Sequence, residues 1–409
     1  MPLRHPGAHR HWLRIVVISV LVLGSTAAVS GESVFSSLGL GESLSPTTSR
    51  GVAMGRAGFT LVDTTSGSFL NPAINSLLRR VTLSVVIAPE VRFPDGVEGA
   101  SRNWETSLSA LKVIFPFPRH IALSVGLLVW RDVSSEASWA GRNSSADYVG
   151  EYTREGGVFS LPVHVSAMLT EHVLIAGGMD LVQVSSRETW TKNFPASEYQ
   201  DSRDNLESGF SGAQPSGAVL IMWPGRATLG FVAGGGRDLD GTLTTRPVFG
   251  KEFESKATLR FPTRYGAGFS FHPHPGWTLL MEGRQTRWKN FRIAGESPLP
   301  DRTSNRISVG VERVSTRKAG TWMSRIPLRL GYWREPQPLE WPAGEQVVAE
   351  MLTFGIGFPL SGESASIDLA LEIGRLGTMS TNGAEERIVR LSVGFTASER
   401  WHRKRQTKY

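Results

Sequence analysis

Two histidines and one run of glycines are the residues whose types and spacing would suit metal or phosphate chemistry. His272 and His274 flank a proline in the sequence HPHPG, and imidazole is a common metal ligand. A metal site needs further ligands, and no other histidine is near this pair in sequence, so a turn is favoured. The glycines at 234–236 are followed by neither a helix pattern nor a phosphate-binding lysine. No serine-hydrolase elbow and no His-Glu-x-x-His motif occurs, and we therefore predict no catalytic site, no metal and no cofactor.

Charged residues at alternate positions of apolar segments form a second group of candidates. If the apolar face of these segments meets lipid, the charges must face the other way, because a lipid-facing Lys or Arg at mid-depth costs about 2–4 kcal/mol. Two interpretations stay open: a salt-bridge network that lines an interior, which we favour, and a polar path for a permeating molecule. The residues are Glu282, Arg284, Arg306, Glu312, Arg329, Asp368, Glu372 and Arg390.

These charges lie on segments whose polarity alternates with a period of two residues. In the last segment, Val389, Leu391 and Val393 share one face with Phe395, and polar or small residues occupy the other face. Alternation of this kind is typical of β-strands with one apolar face, in a soluble sandwich as well as in a membrane barrel. We predict fourteen strands, at 81–89, 104–115, 120–131, 157–169, 173–185, 208–223, 227–237, 257–271, 277–288, 305–315, 325–334, 349–358, 366–376 and 387–396.

The lengths of the connections distinguish between these two architectures. Short turns, such as 170–172, alternate with longer polar loops at about 132–156, 186–207 and 238–256. A membrane barrel has short turns at one end and long loops at the other, whereas a sandwich has no reason to keep this rhythm. The sequence therefore predicts an all-β fold, a 14-stranded antiparallel transmembrane β-barrel over residues 80–397.

Tryptophans near the ends of predicted strands favour the same architecture. An amphipathic indole ring suits the headgroup layer of a membrane, so we expect these rings at the two interfaces. The residues are Trp104, Trp130, Trp223, Trp277, Trp288 and Trp333.

The ends of the chain and its composition indicate where it functions. Residues 1–31 combine several arginines with a short apolar core and small residues, which is typical of a cleaved signal peptide. The apolar core is shorter than the roughly 20 residues of a membrane-spanning helix. Cysteine is absent, which excludes a disulfide scaffold, and the net charge of +7 is not arranged as a nucleic-acid-binding face. We expect export to the bacterial outer membrane, and a disordered basic tail at 398–409.

Residues 32–79 do not alternate, and they carry a recognisable motif. The stretch MGRAGFTLVDTTSGSFLNPA, at 54–73, resembles the N-terminal signature of FadL-type hydrophobic-compound transporters and their PorV-like relatives. Thr286-Arg287-Trp288 and the stretch 326–332 with its following Pro336 resemble two later motifs of that family. These pieces cover the N-terminal region and the C-terminal half, whereas residues 90–255 are similar only in pattern.

The resemblance implies an N-terminal hatch inside the barrel lumen, because fourteen strands are wide enough to leave a pore that must be plugged. Its motif residues are Met54, Gly55, Gly58, Asn71, Pro72 and Ala73. It also implies a passive channel for hydrophobic small molecules such as fatty acids or hydrocarbons. The alternatives are a PorV-like docking or shuttle component for protein secretion and a soluble exported β protein. As partners we expect outer-membrane lipids, a hydrophobic ligand and the barrel-assembly machinery, with the protein itself a monomer.

Overall fold

The computed structural model describes most of the chain between residues 33 and 400. The predicted signal peptide at 1–31 lies outside the described residues, and so does the basic tail from residue 401 onward. The described ranges are 33–37, 40–44, 46–96, 103–142, 146–195, 198–295, 303–314, 326–340, 345–360 and 364–400.

Fourteen antiparallel strands form one closed β-barrel, which confirms the predicted fold class. The sheet closes where the last strand pairs with the first, with Val389 opposite Val91. Three of the strands are interrupted, and the two segments of each pair one after the other with the same adjacent strand. A fourth strand is followed by a separate two-residue segment. The strands are β1 Val81–Asp95, β2 Asn103–Phe117, β3 Ile121–Asp132 and Ser135–Arg142, β4 Asp147–Met168, β5 Val173–Asn193, β6 Ser202–Trp223, β7 Ala227–Gly234 and Asp238–Arg246, β8 Phe253–Arg260 and Thr263–Phe271, β9 Trp277–Arg287 and Arg292–Ile293, β10 Thr303–Arg313, β11 Leu328–Glu340, β12 Gln346–Pro359, β13 Ala365–Leu376 and β14 Glu385–Glu399.

Burial alternates along the strands as the sequence pattern predicts. On β10, Ile307 and Val309 are exposed, whereas Arg306 and Ser308 between them are buried. Phe354 on β12 and Leu391 on β14 are likewise exposed. An exposed apolar face that runs around a closed sheet is the surface that a barrel presents to lipid. We call the opposite, mostly buried face the inner face.

Several strands are longer than predicted. β4 has 22 residues, whereas a strand needs only about 9–11 residues to cross a membrane. The predicted loops at 132–156, 186–207 and 238–256 are therefore wrong for most of their length, because strand continues through them. Beyond the membrane both faces of a strand meet water, so polar residues occupy both faces and the alternation that marks a strand disappears.

The tryptophan prediction is wrong for half of its members. Trp104, Trp223 and Trp277 are exposed, as expected for an interface. Trp288 and Trp333 are buried, and Trp130 is half-buried and donates a hydrogen bond of 2.7 Å to another strand. These three rings lie on the inner face, where they pack against guanidinium groups.

The chain before β1, here called the N-terminal segment (residues 33–78), contacts two different arcs of the barrel. Its helix α1, Ser49–Ala53, packs against β11–β14, and its 3-10 helix, Pro72–Leu77, packs against β2–β6. A two-residue strand, Glu42–Ser43, pairs with Asp132 and Arg131 of β3. Among the described residues no helix has the length and apolar character to span a membrane.

Candidate functional site

The turn after α1 brings the backbone of the N-terminal segment directly against the barrel wall. Gly55 has a φ of 77°, and a Cβ at this position would lie 2.6 Å from the carbonyl oxygen of Tyr332 on β11. Arg56 also has a positive φ, of 57°. The side chain of Met54 is fully buried in a small cluster that includes Leu280 of β9. Any side chain at Gly55 would force the segment away from the wall, which explains the glycine in the motif.

Glu282 on β9 binds the backbone of the N-terminal segment. Its carboxylate accepts the N–H of Gly58 at 2.8 Å, and those of Phe59 and Thr60 at 2.9 Å each. The hydroxyl of Thr60 donates a fourth bond, also at 2.9 Å. The carboxylate is thus fully committed, and Glu282, predicted as an inward charge, holds the segment to the wall.

The Asn-Pro-Ala motif builds a capped turn. The side chain of Asn71 accepts a hydrogen bond from the N–H of Ala73 at 3.1 Å and donates one to the carbonyl of Phe59 at 2.7 Å. Pro72 opens the 3-10 helix, where its missing N–H costs nothing. Asn71 and Ala73 are completely buried. The motif therefore fixes the two halves of the N-terminal segment to each other.

A buried cluster of three arginines and four glutamates joins the N-terminal segment to β1, β13 and β14. Arg56 forms a bidentate pair with Glu372, at 2.8 Å for both bonds, and its guanidinium lies 5.0 Å from the ring centroid of Trp333. The indole N–H of Trp333 donates to the same carboxylate at 2.9 Å. Of the seven charged residues, Glu372 and Arg390 were predicted. The members are Arg56, Arg92, Arg390, Glu42, Glu90, Glu372 and Glu386.

Two smaller clusters contain the remaining predicted charges. On β9–β11, Arg284 and Arg306 converge on Glu335, at 2.8 Å and 2.5 Å. Near the short-turn end, Arg329 contacts Glu312 at 2.8 Å and Asp368 at 2.6 Å. All eight predicted inward charges are therefore buried or half-buried and partnered, and the structure distributes them over separate groups.

Arg50 of α1 reaches the cluster at the short-turn end. It forms a bidentate pair with Glu312, at 2.9 Å and 2.5 Å, and lies 3.5 Å from Asp63. Burial raises the pKa of Asp63, but the charge of Arg50 and hydrogen bonds from Ser66 and Thr65 outweigh it and lower that pKa to about 2. Asp63 is therefore ionised at every physiological pH.

Several inner-face residues were not predicted from the sequence, for two different reasons. Glu335 lies on the same face of β11 as Arg329, so extending the alternation by a few residues would have found it. Glu90 and Arg92 follow in the same way from the alternation of β1. Arg50 and Arg56 belong to a segment without periodicity, and no sequence signal assigns them partners.

An interior cavity of about 70 Å³ lies between the N-terminal segment and β3–β9. Its apolar lining includes aromatic and aliphatic side chains of the segment itself. Opposite them, the guanidinium of Arg264 lies 4.0 Å from the ring centroid of Trp130 and 3.4 Å from Asp180. The apolar lining consists mainly of Phe59, Phe69, Leu70, Pro72, Leu128 and Trp130.

A second, smaller cavity of about 30 Å³ shares Trp130, Arg264 and Arg284 with the first. Arg131 also lines it, with its guanidinium 4.9 Å from the ring centroid of Trp288. Three guanidinium groups thus line the two cavities, whereas the carboxylates that line them are those of Asp180 and Glu335. The indole nitrogen of Trp288 is buried and has no hydrogen-bond partner among the described residues. The arrangement is apolar at one end and rich in hydrogen-bond donors at the other, and it is able to accommodate an anionic group.

His164, Ser216 and Asp180 meet at the edge of the first cavity, but not as a catalytic triad. The imidazole Nε2 of His164 lies 2.6 Å from the hydroxyl of Ser216, which donates to Asp180 at 3.2 Å. In a triad the hydroxyl donates to the histidine, and the carboxylate holds the other ring nitrogen. Here Nδ1 of His164 has no partner within the described part of the chain. No group of three or more potential metal ligands occurs in the described ranges either.

The wall is thin beside this cavity. A groove of about 870 Å³ on the outer face shares Gly217, Val232, Ala233, Tyr265 and Arg284 with the interior cavity. At this level β7 and β8 are interrupted at 235–237 and 261–262. A single layer of backbone therefore separates the interior from the lipid-facing surface.

Comparison with known sequences gives two findings for this chain. The family model described as BamG matches residues 241–408, from the second segment of β7 to the C-terminal tail. Among curated proteins, no sequence matches.

Solved structures match over most of the barrel. A Pseudomonas aeruginosa FadL homologue has a TM-score of 0.62 at 13% identity, covering 88% of this chain and 100% of that chain. The CymD monoaromatic hydrocarbon channel has a TM-score of 0.58 at 14% identity, covering 88% and 99%. The Pseudomonas putida toluene transporter TodX has a TM-score of 0.54 at 14% identity, also covering 88% and 99%. The chain has the fold of FadL-type channels. At these identities the similarity establishes the fold and leaves the ligand open.

Proposed function

We propose that this protein is an outer-membrane channel through which small hydrophobic molecules diffuse without an energy source. The observation that carries the proposal is the interior cavity, which is apolar along the N-terminal segment and ends at Arg131, Arg264 and Arg284. The named functions of the structural neighbours, hydrocarbon and toluene transport, are in keeping with it. A cleaved signal peptide at 1–31 would export the chain to that membrane.

Within this class, an amphiphile with an anionic group, such as a fatty acid, suits the interior better than a pure hydrocarbon. The two cavities are lined by three guanidinium groups and two carboxylates, so one positive charge is in excess. The carboxylate of a permeant would balance this excess positive charge and would gain charge-assisted hydrogen bonds worth about 1.5–3 kcal/mol each. A hydrocarbon would gain only contacts with the apolar end.

The N-terminal segment serves in this proposal as a hatch. Its support is the number of bonds from the segment to the wall, including those of Gly58 to Glu282, Arg56 to Glu372 and Arg50 to Glu312. A wide barrel without an obstruction would leak, so a permeant passes only when part of the segment shifts. The motif residues act by shape, since Gly55 permits the close approach and Asn71 fixes the turn.

The transport proposal is tested by uptake of labelled oleate and labelled toluene into cells that carry or lack this protein. We expect the protein to increase oleate uptake. Arg264→Gln should lower oleate uptake by about 10- to 100-fold, because the carboxylate of oleate loses one charge-assisted hydrogen bond. Toluene carries no charge, so its uptake should change little. Arg334→Gln is the matched control, because Arg334 is exposed on the outer face. Equal uptake in cells with and without the protein would refute transport.

A second candidate function is that of a docking component for an outer-membrane protein machine. The BamG match over residues 241–408 favours it, because that family is not the family of the hydrocarbon channels. Purification from native membranes under mild detergent, followed by identification of stoichiometric partner proteins, tests this candidate. A stable partner combined with no uptake would establish docking in place of transport, whereas a monomer that carries oleate would exclude it.

A further inference from the structure

The outer face of the barrel carries a groove of about 870 Å³ that crosses β5–β10. Its walls are formed by large apolar side chains of five strands, which are all exposed. Its floor is formed by small residues, with Gly217 beside Ala233 on β6 and β7, and Ala267 beside Gly283 on β8 and β9. The wall residues are Ile175, Val219, Phe231, Tyr265 and Ile307.

The floor of this groove is open toward the membrane. Among the described residues, a Cβ at Gly217 would meet only the carbonyl oxygen of Ala176, at 3.5 Å, and one at Gly283 would meet only that of Arg306, at 4.0 Å. The glycines therefore do not make room for another part of the described chain. In a membrane such a concavity cannot remain empty, because its lining would lose its dispersion contacts. A hydrocarbon chain from outside the protein has to fill it.

The depth of the groove follows from β9. Trp277 and Arg287 are the first and last residues of the first segment of this strand, ten residues apart. At a rise of about 3.3 Å per residue and a tilt of about 40°, they are separated by about 25 Å along the barrel axis, which is the height of the apolar band of such barrels. Arg287 therefore lies at headgroup level on the long-loop side. Gly283 lies within the hydrocarbon layer below it.

Positive charges surround the upper end of the groove. The guanidinium of Arg287 lies 5.0 Å from the ring centroid of Tyr265, which forms part of the groove wall. Arg237, in the interruption of β7, and Lys289, two residues after Arg287, are also exposed. The carbonyl of Arg237 accepts the N–H of Phe261, in the interruption of β8, at 3.1 Å, and Arg287 is paired with Thr263, two residues farther along the chain. The three cations therefore belong to neighbouring stretches of the sheet at this end of the groove, and their charge is complementary to an anionic headgroup at the interface.

We propose that the groove is a lipid-binding site for a phosphorylated acyl lipid of the leaflet at the long-loop end. One acyl chain lies on the small-residue floor between Phe231 and Ile307. The phosphate contacts Arg287 and the cations beside it. The thin wall behind the groove also means that the bound lipid covers the point where the interior is closest to the membrane.

The test is native mass spectrometry of the protein extracted from its own membrane in mild detergent, with lipid phosphorus measured per chain. The double variant Gly217→Leu and Gly283→Leu fills the floor, and Arg287→Gln removes the nearest cation. We expect the double variant to retain at least about tenfold less phosphorylated lipid, and the Arg287 variant severalfold less.

Two matched controls should retain lipid as the wild type does. Gly209→Leu adds the same side chain at an exposed glycine of β6 that is not part of the groove, where a Cβ would have no neighbour within 4 Å in the described part of the chain. Arg313→Gln removes an exposed cation at the opposite end of β10. Heat-modifiable gel mobility verifies that each barrel is folded.

Three results would overturn the proposal. The first is equal lipid retention in the groove-filling and control variants. The second is loss of a dimer in the double variant with lipid retention unchanged, which would make a second copy the occupant. The third is loss of oleate uptake with lipid retention unchanged, which would make the groove part of the permeant path.

Discussion

Replacing Glu282 with glutamine tests how firmly the N-terminal segment is held. The amide offers one oxygen in place of two. If that oxygen accepts the N–H groups of Phe59 and Thr60, the NH₂ group of the amide faces the N–H of Gly58, which then has no acceptor. An unpaired buried N–H costs about 1–3 kcal/mol, and the remaining bonds lose their charge assistance, about 0.5–1 kcal/mol each. The neutral amide recovers part of this, because it costs less to bury than a carboxylate. The net loss of about 2–4 kcal/mol would raise the population of local opening roughly 30- to 700-fold.

Hydrogen exchange followed by mass spectrometry measures this opening directly, in peptides that cover residues 57–62. We expect exchange there to accelerate in Glu282→Gln by the stated factor while the barrel strands exchange as before. Glu350→Gln is the control: this carboxylate is on the outer face and pairs with Arg334 and Arg375, and such surface pairs contribute at most about 1 kcal/mol. If exchange at 57–62 in Glu282→Gln stays within about threefold of the wild type, Glu282 does not hold the segment.

Two further predictions concern the same segment. Gly55→Val places a branched side chain at a φ of 77°, with its Cβ 2.6 Å from the carbonyl oxygen of Tyr332. We expect this clash to displace the segment, so that planar bilayers show frequent open-channel events. Unchanged gel mobility would show that the barrel is still folded. An unchanged current would contradict this. Because the pKa of Asp63 is lowered to about 2, its pairing with Arg50 contributes stability above about pH 4 that is lost as the pH falls through 2. Asp63→Asn should lower the free energy of local opening at pH 7 by up to about 2 kcal/mol and remove the part of the pH dependence that comes from the Asp63–Arg50 pair, as measured by exchange from pH 2 to 7.

The barrel itself was predictable, because its determinants are local. A strand between lipid and an inner face must alternate, and Ile307 and Val309 with Arg306 and Ser308 show that alternation in sequence and in structure. The same rule places Trp333 on the inner face, since it shares the parity of Arg329. Its prediction as an interface residue was wrong because it rested on the position of Trp333 near a strand end and did not consider which face of the strand the residue occupies.

Strand length was less predictable than strand number. Asp147–Met168 crosses the membrane and continues into water, and its alternation disappears once both faces are solvated. The sequence therefore marks the membrane-spanning part of each strand, while the backbone pairing of β3–β8 beyond the membrane is visible only in the folded sheet.

The sequence by itself determined that charges such as Glu282 and Arg390 face inward, because lipid excludes them and a strand has only two faces. It did not determine what they meet. Arg56 and Glu372 are 316 residues apart in the chain, and the pairing of Arg284 and Arg306 with Glu335 depends on the register of three strands. Closure of the barrel and the packing of the N-terminal segment against its inner face decide these contacts. The pattern shows which charges face inward, but only the tertiary structure shows which of them bind the N-terminal segment. Only the tertiary structure, likewise, shows that arginines outnumber carboxylates at the end of the cavity.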